Sequence, residues 1–130
     1  NETHADEEWE EELLEKKEAT EFRAAAARLN FLSQDCPELQ YPAKEVSQEM
    51  ANPKRRAWKR LKRVSRFLLG RESVIWEYEW QDEGHEPETF ADSDWGGSRG
   101  SRKSTSGGCV MVGKHCIQIW ATTQGAVALS

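Results

Sequence analysis

The sequence predicts an α+β chain, a three-helix segment followed by an antiparallel β-rich unit. Three observations carry that expectation. Apolar residues recur at helical spacing through residues 20–71. Beyond Gly70 the spacing changes to alternation, punctuated by glycine-containing turns. Charge segregates along the same divisions: residues 1–21 hold ten acids and two lysines, 53–71 nine Lys or Arg and no acid, and 72–94 nine acids and no base. Blocks of like charge mark tails or binding faces rather than core.

A length of 130 residues suits one ordinary domain or two small pieces. Hydrophobic content of 37% and a mean hydropathy of −0.84 are lean, so part of the chain is expected to be solvated tail. Six tryptophans argue against full disorder. The three cysteines, Cys36, Cys109 and Cys116, are odd in number and scattered, as in a reducing compartment. No apolar run approaches the roughly 20 residues of a membrane span. The acidic start, N-E-T-H-A-D-E-E-W, is unlike a signal or transit peptide. An intracellular chain, cytoplasmic or nuclear and not membrane-bound, is therefore expected. The missing initiator Met leads us to expect an excised or partial chain.

Residues 1–19 read as an acidic arm, either a frayed helix or a disordered linker, because little apolar surface anchors it. The first helix is expected near 20–34, with Phe22, Ala25, Ala26, Leu29 and Leu32 on one face and Thr20 or the residues before it as cap. The second is expected near 38–51. There Pro42 requires either a start close to Pro42 or an irregular first turn. The third has Asn52 as N-cap, Pro53 in its first turn and Gly70 as terminator. Its apolar stripe is Trp58, Leu61, Val64, Phe67 and Leu68, and the rest of its surface is basic.

After Gly70, residues 74–80 (V-I-W-E-Y-E-W) alternate like a strand with one wet face. Trp76, Tyr78 and Trp80 are expected on the buried side rather than as a stacking platform. Further strands are expected at 89–94, 105–112 and 116–120, the last two joined by a tight turn at Gly113-Lys114. Residues 124–130 read as a tail. A few strands without a covering helix would leave one sheet face bare.

Four collinear stretches then resemble one family. They are T-E-F-R-A-A-A-A-R-L-N-F-L-S-Q-D-C-P-E-L-Q-Y, M-A-N-P-K-R-R-A-W-K-R-L-K-R-V-S-R-F-L-L-G, F-A-D-S-D-W-G-G-S-R-G-S-R-K-S-T-S-G-G and I-Q-I-W-A-T-T-Q-G-A-V-A-L-S. Together, and with R-K-S-T-S-G at Arg102–Gly107, they look like the Pol polyprotein of copia-type retrotransposons. The matching region is the end of the reverse transcriptase and the start of its RNase H domain. The resemblance implies a thumb- or connection-like helical segment over 20–71. Over 72–130 it implies a truncated RNase H-like antiparallel sheet lacking its covering helices.

The parent family combines RNA-directed DNA polymerase and ribonuclease H, the latter using two Mg²⁺ ions held by carboxylates. The resemblance places the first of these, a catalytic metal ligand, at Asp92. Asp94 returns to the same strand face and is not carried over as catalytic. The family's second carboxylate lies just beyond an A-L-S segment, here Ala128-Leu129-Ser130, so the remaining ligands are expected outside this sequence. One carboxylate cannot hold a metal pair about 4 Å apart. The chain alone is therefore expected to bind no stable Mg²⁺ and to be inactive as a nuclease. Residues 1–70 carry no palm-type carboxylate motif for polymerisation.

Read without the resemblance, A-D-S-D-W-G-G is a strand end with a glycine turn. A calcium loop fails, since counting from Asp92 puts Lys103 where a ligand glutamate is needed. The basic helix supports nucleic-acid contact, to an RNA–DNA hybrid or duplex, through Arg55, Lys59, Lys62, Arg63 and Arg66. Arg99, Arg102 and Lys103 form a second basic patch. Two blander readings stand beside it: a solvated basic face with Trp58 in the core, or pairing with the chain's own acidic blocks. The expected partners are nucleic acid and the rest of the polyprotein. A domesticated, non-catalytic interaction module built on the acidic arm and basic helix is the alternative. His115 and the cysteines match no zinc spacing and read as a turn residue and buried thiols.

Overall fold

The computed structural model describes residues 9–71, 73–97 and 101–127. They fall into two compact units, one ending at Val74 and the other beginning at Ile75. The class is α+β, with helices in the first unit and one antiparallel sheet in the second.

The first unit holds α1 (Lys16–Leu32), a 3₁₀ turn (Pro37–Leu39), α2 (Gln40–Ser47) and α3 (Arg55–Leu69). On α1, Ala19, Phe22, Ala26 and Leu29 are buried, three or four residues apart, which puts them on one face. Leu39, Ala43 and Val46 meet that face from the second helical stretch, and Ala57 and Leu61 from α3. Alanine at four of the buried core positions leaves little bulk between the helices. Trp58 packs partly buried against the core, its ring centroid 6.1 Å from that of Phe22. Trp58 is thus a core residue. Arg23 ties α1 to the segment after α2, donating to the carbonyls of Met50 (2.8 Å) and Ala51 (3.1 Å).

Helix boundaries differ from the sequence expectations for local reasons. α1 begins at Lys16 rather than near residue 20, after an extended Glu15, so no threonine caps it. The 3₁₀ turn starts the second helix gradually and leaves Pro42 in the first turn of α2. The amide it lacks would have had no partner within the helix there. α2 is also shorter than expected, ending at Ser47. α3 starts at Arg55 with Lys54 as N-cap, not Asn52. The cause is the arm: Leu14 N–H donates to the Pro53 carbonyl (2.9 Å), Arg55 N–H donates to the Glu12 carbonyl (2.9 Å), and Leu13 forms a β-bridge with Lys54. The expectation of a frayed or disordered arm is therefore corrected for residues 9–15. Leu14 is a buried anchor, and 9–11 form a helical turn. Residues 1–8 of that arm lie outside the described residues.

The second unit is a three-stranded antiparallel sheet in the order β1 (Pro87–Ser93), β2 (Lys103–Val112), β3 (His115–Val127). β1 pairs Phe90 with Cys109 and Asp92 with Gly107. β2 pairs Gly108 with Trp120 and Lys103 with Val127. The turn falls at Gly113-Lys114 as expected, with Gly113 at φ 58, in the left-handed region that glycine tolerates.

Two expectations fail here. Residues 74–80 are not a strand: 73–80 run without regular secondary structure, and the sheet holds only β1, β2 and β3. The stretch instead lies on the β2–β3 turn. His115 Nε2–H donates to the Glu79 carbonyl (2.7 Å), while Gln81 Nε2 donates to the Val112 carbonyl (2.8 Å) and to His115 Nδ1 (3.1 Å). Its aromatics are consequently not a buried face, with Trp76, Tyr78 and Trp80 at 41%, 58% and 88% exposure. Trp76 and Tyr78 stack, and Tyr78 meets His115 edge-on. The expected tail is also partly strand, because β3 continues to Val127 opposite Lys103 and Gln124 donates to Ser106 Oγ (2.7 Å). Residues 128–130 lie outside the described residues.

The units differ in how they are held. The first has an apolar core. Among the described residues from Ile75 onward, Ser104 alone is buried. Close backbone approach matters there. A side chain at Gly108 would collide with the Trp120 indole and the Phe90 carbonyl, whereas one at Gly107 would meet its nearest atom, the Trp120 carbonyl oxygen, at 3.6 Å. The indole lying over a strand glycine supplies the contact area that glycine lacks.

Two predictions follow from this contrast. Phe22→Ala leaves a cavity in the small helical core and should cost about 3–5 kcal/mol, measured by urea unfolding of the helical circular-dichroism signal. Gly108→Ala should reduce amide-exchange protection in β1 and β2, because backbone must move, while Gly107→Ala should leave it unchanged.

Candidate functional site

The basic residues of α3 divide into two groups. In its N-terminal half nearly every cation has a carboxylate. Lys54 Nζ lies 2.6 Å from Glu11, Arg55 Nε 2.8 Å from Glu12, and Lys59 Nζ 2.5 Å from Glu10. Arg56 pairs with Glu11 and, at 2.9 Å, with Glu49. Arg60 lies 3.7 Å from Glu45. Arg55 also sits over the Trp9 ring, 5.4 Å from its centroid. The pairing of basic helix with acidic block, one of three readings open in the sequence, is therefore realised for Arg55 and Lys59.

Further along α3 the pattern changes. Lys62, Arg63 and Arg66 are exposed, and among the described residues no carboxylate lies within ion-pair distance of them. Lys62 Nζ hangs 5.6 Å from the Trp58 ring centroid. A helix rises 1.5 Å per residue, so Arg55 to Arg66 spans about 16 Å. The structure thus brings Arg55, Lys59, Lys62, Arg63 and Arg66 onto one helix, with the first two engaged and the last three open.

Electrostatics follow this geometry. The hydrogen bond from Lys59, and then its charge, hold the Glu10 carboxyl below the ordinary glutamate range. The Lys54 hydrogen bond does the same for Glu11, with Arg56 adding to it. The Glu12 hydrogen bond raises Arg55 further. The glutamates of the arm are the partners of α3 that a scan for basic motifs overlooks. Their only signal was the opposite charge of blocks 1–21 and 53–71.

The other expected residues belong to the second unit. Arg102 precedes β2 with φ 52, and Lys103 opens that strand, half-buried. Arg99 lies outside the described residues. Asp92, near the end of β1, is exposed, and its Oδ1 accepts the Ser93 N–H (2.8 Å).

Asp94 has a different task. Its Oδ1 accepts the Thr105 N–H (2.6 Å), and its own N–H donates to the Thr105 carbonyl (3.1 Å). A side chain at Gly97 would collide with the Asp94 carboxylate. Gly96 takes φ 58 and donates its N–H to Ser104 Oγ (2.9 Å). The double glycine therefore closes a turn around Asp94.

Among the described residues no group of three or more His, Cys, Asp or Glu is placed to hold a metal ion. All three cysteines are free thiols, half-buried rather than fully buried. Among the described residues no helix is long and apolar enough to cross a membrane.

The chain is similar to the Pol polyproteins of transposable elements. Retrovirus-related Pol polyproteins from the transposons RE2 and RE1 of Arabidopsis thaliana match over 113 residues at 31% and 28% identity, covering 85% of this chain and 8% of each polyprotein. An uncharacterized mitochondrial protein of Arabidopsis thaliana matches over 113 residues at 31% identity, covering 85% of this chain and 46% of that protein. The chain spans about half the length of this last relative and a small part of the polyproteins. These similarities support a fragment of a retrotransposon Pol polyprotein. No family model matches the chain, and no solved structure matches it significantly.

Arm docking should depend on pH in a defined direction. Glu10 and Glu11 have lowered carboxyl values in the folded chain, so their contribution is full above the ordinary glutamate range and lost as pH falls through the lowered values. Carboxyl-carbon NMR titration should show both midpoints below that range. Lys59→Met should raise the midpoint of Glu10, and Lys54→Met that of Glu11.

Proposed function

We propose that the chain is a segment of a copia-type Pol polyprotein, spanning the junction between reverse transcriptase and RNase H, and that it binds the backbone of an RNA–DNA hybrid or duplex through α3. The observation that carries the binding is the open row Lys62, Arg63 and Arg66 on a helix rich in exposed basic residues, in a chain similar to Pol polyproteins. Such cations neutralise phosphates and release their counterions, which gives affinity without base readout. Arg102 and Lys103 provide a second cationic contact on the RNase H-like unit.

Asp92 corresponds to the first carboxylate of the family's metal site. On this reading the further carboxylates of that site would have to join Asp92 from outside the described residues. The alternative, an interaction module that uses the acidic arm on a foreign basic partner, has less support. Glu10, Glu11 and Glu12 are already engaged by α3 of the same chain.

The test is fluorescence anisotropy with a labelled 16-base-pair RNA–DNA hybrid. Affinity should fall with salt at a log–log slope of about −3, as for three phosphates. Arg63→Glu with Arg66→Glu should weaken binding at least about tenfold, equivalent to about 1.4 kcal/mol. Binding that ignores both salt and these charge reversals would sink the proposal.

A further inference from the structure

We propose that the arm's glutamates and a nucleic-acid phosphate backbone are alternative occupants of one cationic row on α3, so that Glu10, Glu11 and Glu12 act as a built-in competitor for the phosphate site. The inference rests on the proposed nucleic-acid binding and adds a partner for the half of α3 that this reading leaves unused.

The geometry is that of an occupied anion site. Three consecutive carboxylates lie on Lys54, Arg55, Arg56 and Lys59 at charge-assisted hydrogen-bond distances, including 2.6 Å, 2.8 Å and 2.5 Å. Carboxylate and phosphate oxygens present the same acceptor chemistry to Lys and Arg. The row continues without interruption into the open cations Lys62, Arg63 and Arg66. One strand of a duplex carries about five phosphates over the roughly 16 Å from Arg55 to Arg66. A backbone seated along the open half therefore runs directly into the arm.

The arm is also held in a way that permits exchange. Leu14 is buried and anchors its base, and the hydrogen bonds to Pro53 and from Arg55 secure residues 12–14. Beyond that point the described contacts with α3 are the ion pairs and the Trp9–Arg55 contact, all at exposed or half-exposed side chains. Exposed ion pairs are individually weak and screened by salt. A dense polyanion can replace all three carboxylates at once, whereas an isolated phosphate cannot. Competition of this kind raises the threshold for binding and favours a continuous backbone over small anions.

The experiment uses the full chain and the same labelled hybrid. The triple variant Glu10→Gln, Glu11→Gln, Glu12→Gln should bind at least about tenfold more tightly than the wild type at low salt. Its salt slope should steepen toward about −6, because more phosphates are neutralised. Glu77→Gln, Glu83→Gln, Glu86→Gln adds the same net charge elsewhere and should change affinity far less. Glu10→Gln alone, which removes one ion pair, should give an intermediate gain and provides the comparison if the triple variant loses its helical signal. An unchanged affinity in the arm variants, or an equal gain in the control, overturns the competition. The proposed function then still stands if Arg63→Glu with Arg66→Glu weakens the wild type. Binding by the arm variant alone supports the competitor and overturns hybrid binding by the intact chain. Binding by neither overturns both.

Discussion

Leu14 lies in the helical core, the residue before it bridges to Lys54, and the one before that accepts the Arg55 amide. This three-residue contact across about forty positions of chain sets much of the first unit. It fixes where α3 begins, because the Pro53 carbonyl and the Arg55 amide are bonded to it. It also fixes where the preceding glutamates fall, one turn or less along α3. Hydrophobic burial at a single residue thus places charges whose own pairings are too weak to order a segment. Without Leu14 at that depth, the acidic block would be a diffuse counterion cloud rather than a row of carboxylates facing a row of cations.

The second unit obeys a different constraint. With Ser104 alone buried among its described residues, its order comes from backbone pairing and a few polar clamps. Gln81 and His115 hold the β2–β3 turn to the stretch before β1, and Asp94 and Ser104 hold the open end of β1 to β2. Each clamp stands beside a glycine that a larger residue would displace, Gly113 in one case and Gly97 in the other. A sheet held this way presents unburied apolar groups on Phe90 and Ile117, which a helical layer would cover in a two-layer domain.

What could be read from the sequence follows from the range of the forces involved. The amphipathic stripe of α3 and its end at Gly70 are local, and both are found where the spacing put them except at Phe67, which is exposed rather than packed on the core. The β2–β3 turn is likewise local, set by Gly113-Lys114. The start of α3 was misplaced because its cap is decided by residues about forty positions earlier. Residues 74–80 have a strand's alternation but no partner strand, and alternation reports only which side chains share a face, not what covers it. The Thr122–Val127 stretch has too few apolar residues to signal a strand. It pairs because β2 begins at Lys103 and offers a ladder opposite it. Among the site residues, the basic row was visible as composition, but which of its members were already neutralised depended on long-range contact.

The two acids of A-D-S-D-W-G-G illustrate how far chemistry can be read from residue type alone. Strand alternation puts Asp92 and Asp94 toward the same face, and as letters they are equivalent. The structure separates them by what they bond. Asp94 gives Oδ1 to a backbone amide on the neighbouring strand and stands against Gly97, so it is committed to the turn. Among the described residues Asp92 accepts from the amide that follows it in sequence, one strand residue before that turn closes. Asp92 is exposed near the strand end, so two acids of the same type do different physical work two residues apart. Asp94 and the glycines are thus committed to the turn while Asp92 is not, and this pairing of a committed acid with an uncommitted one is what gives the motif more content than a turn.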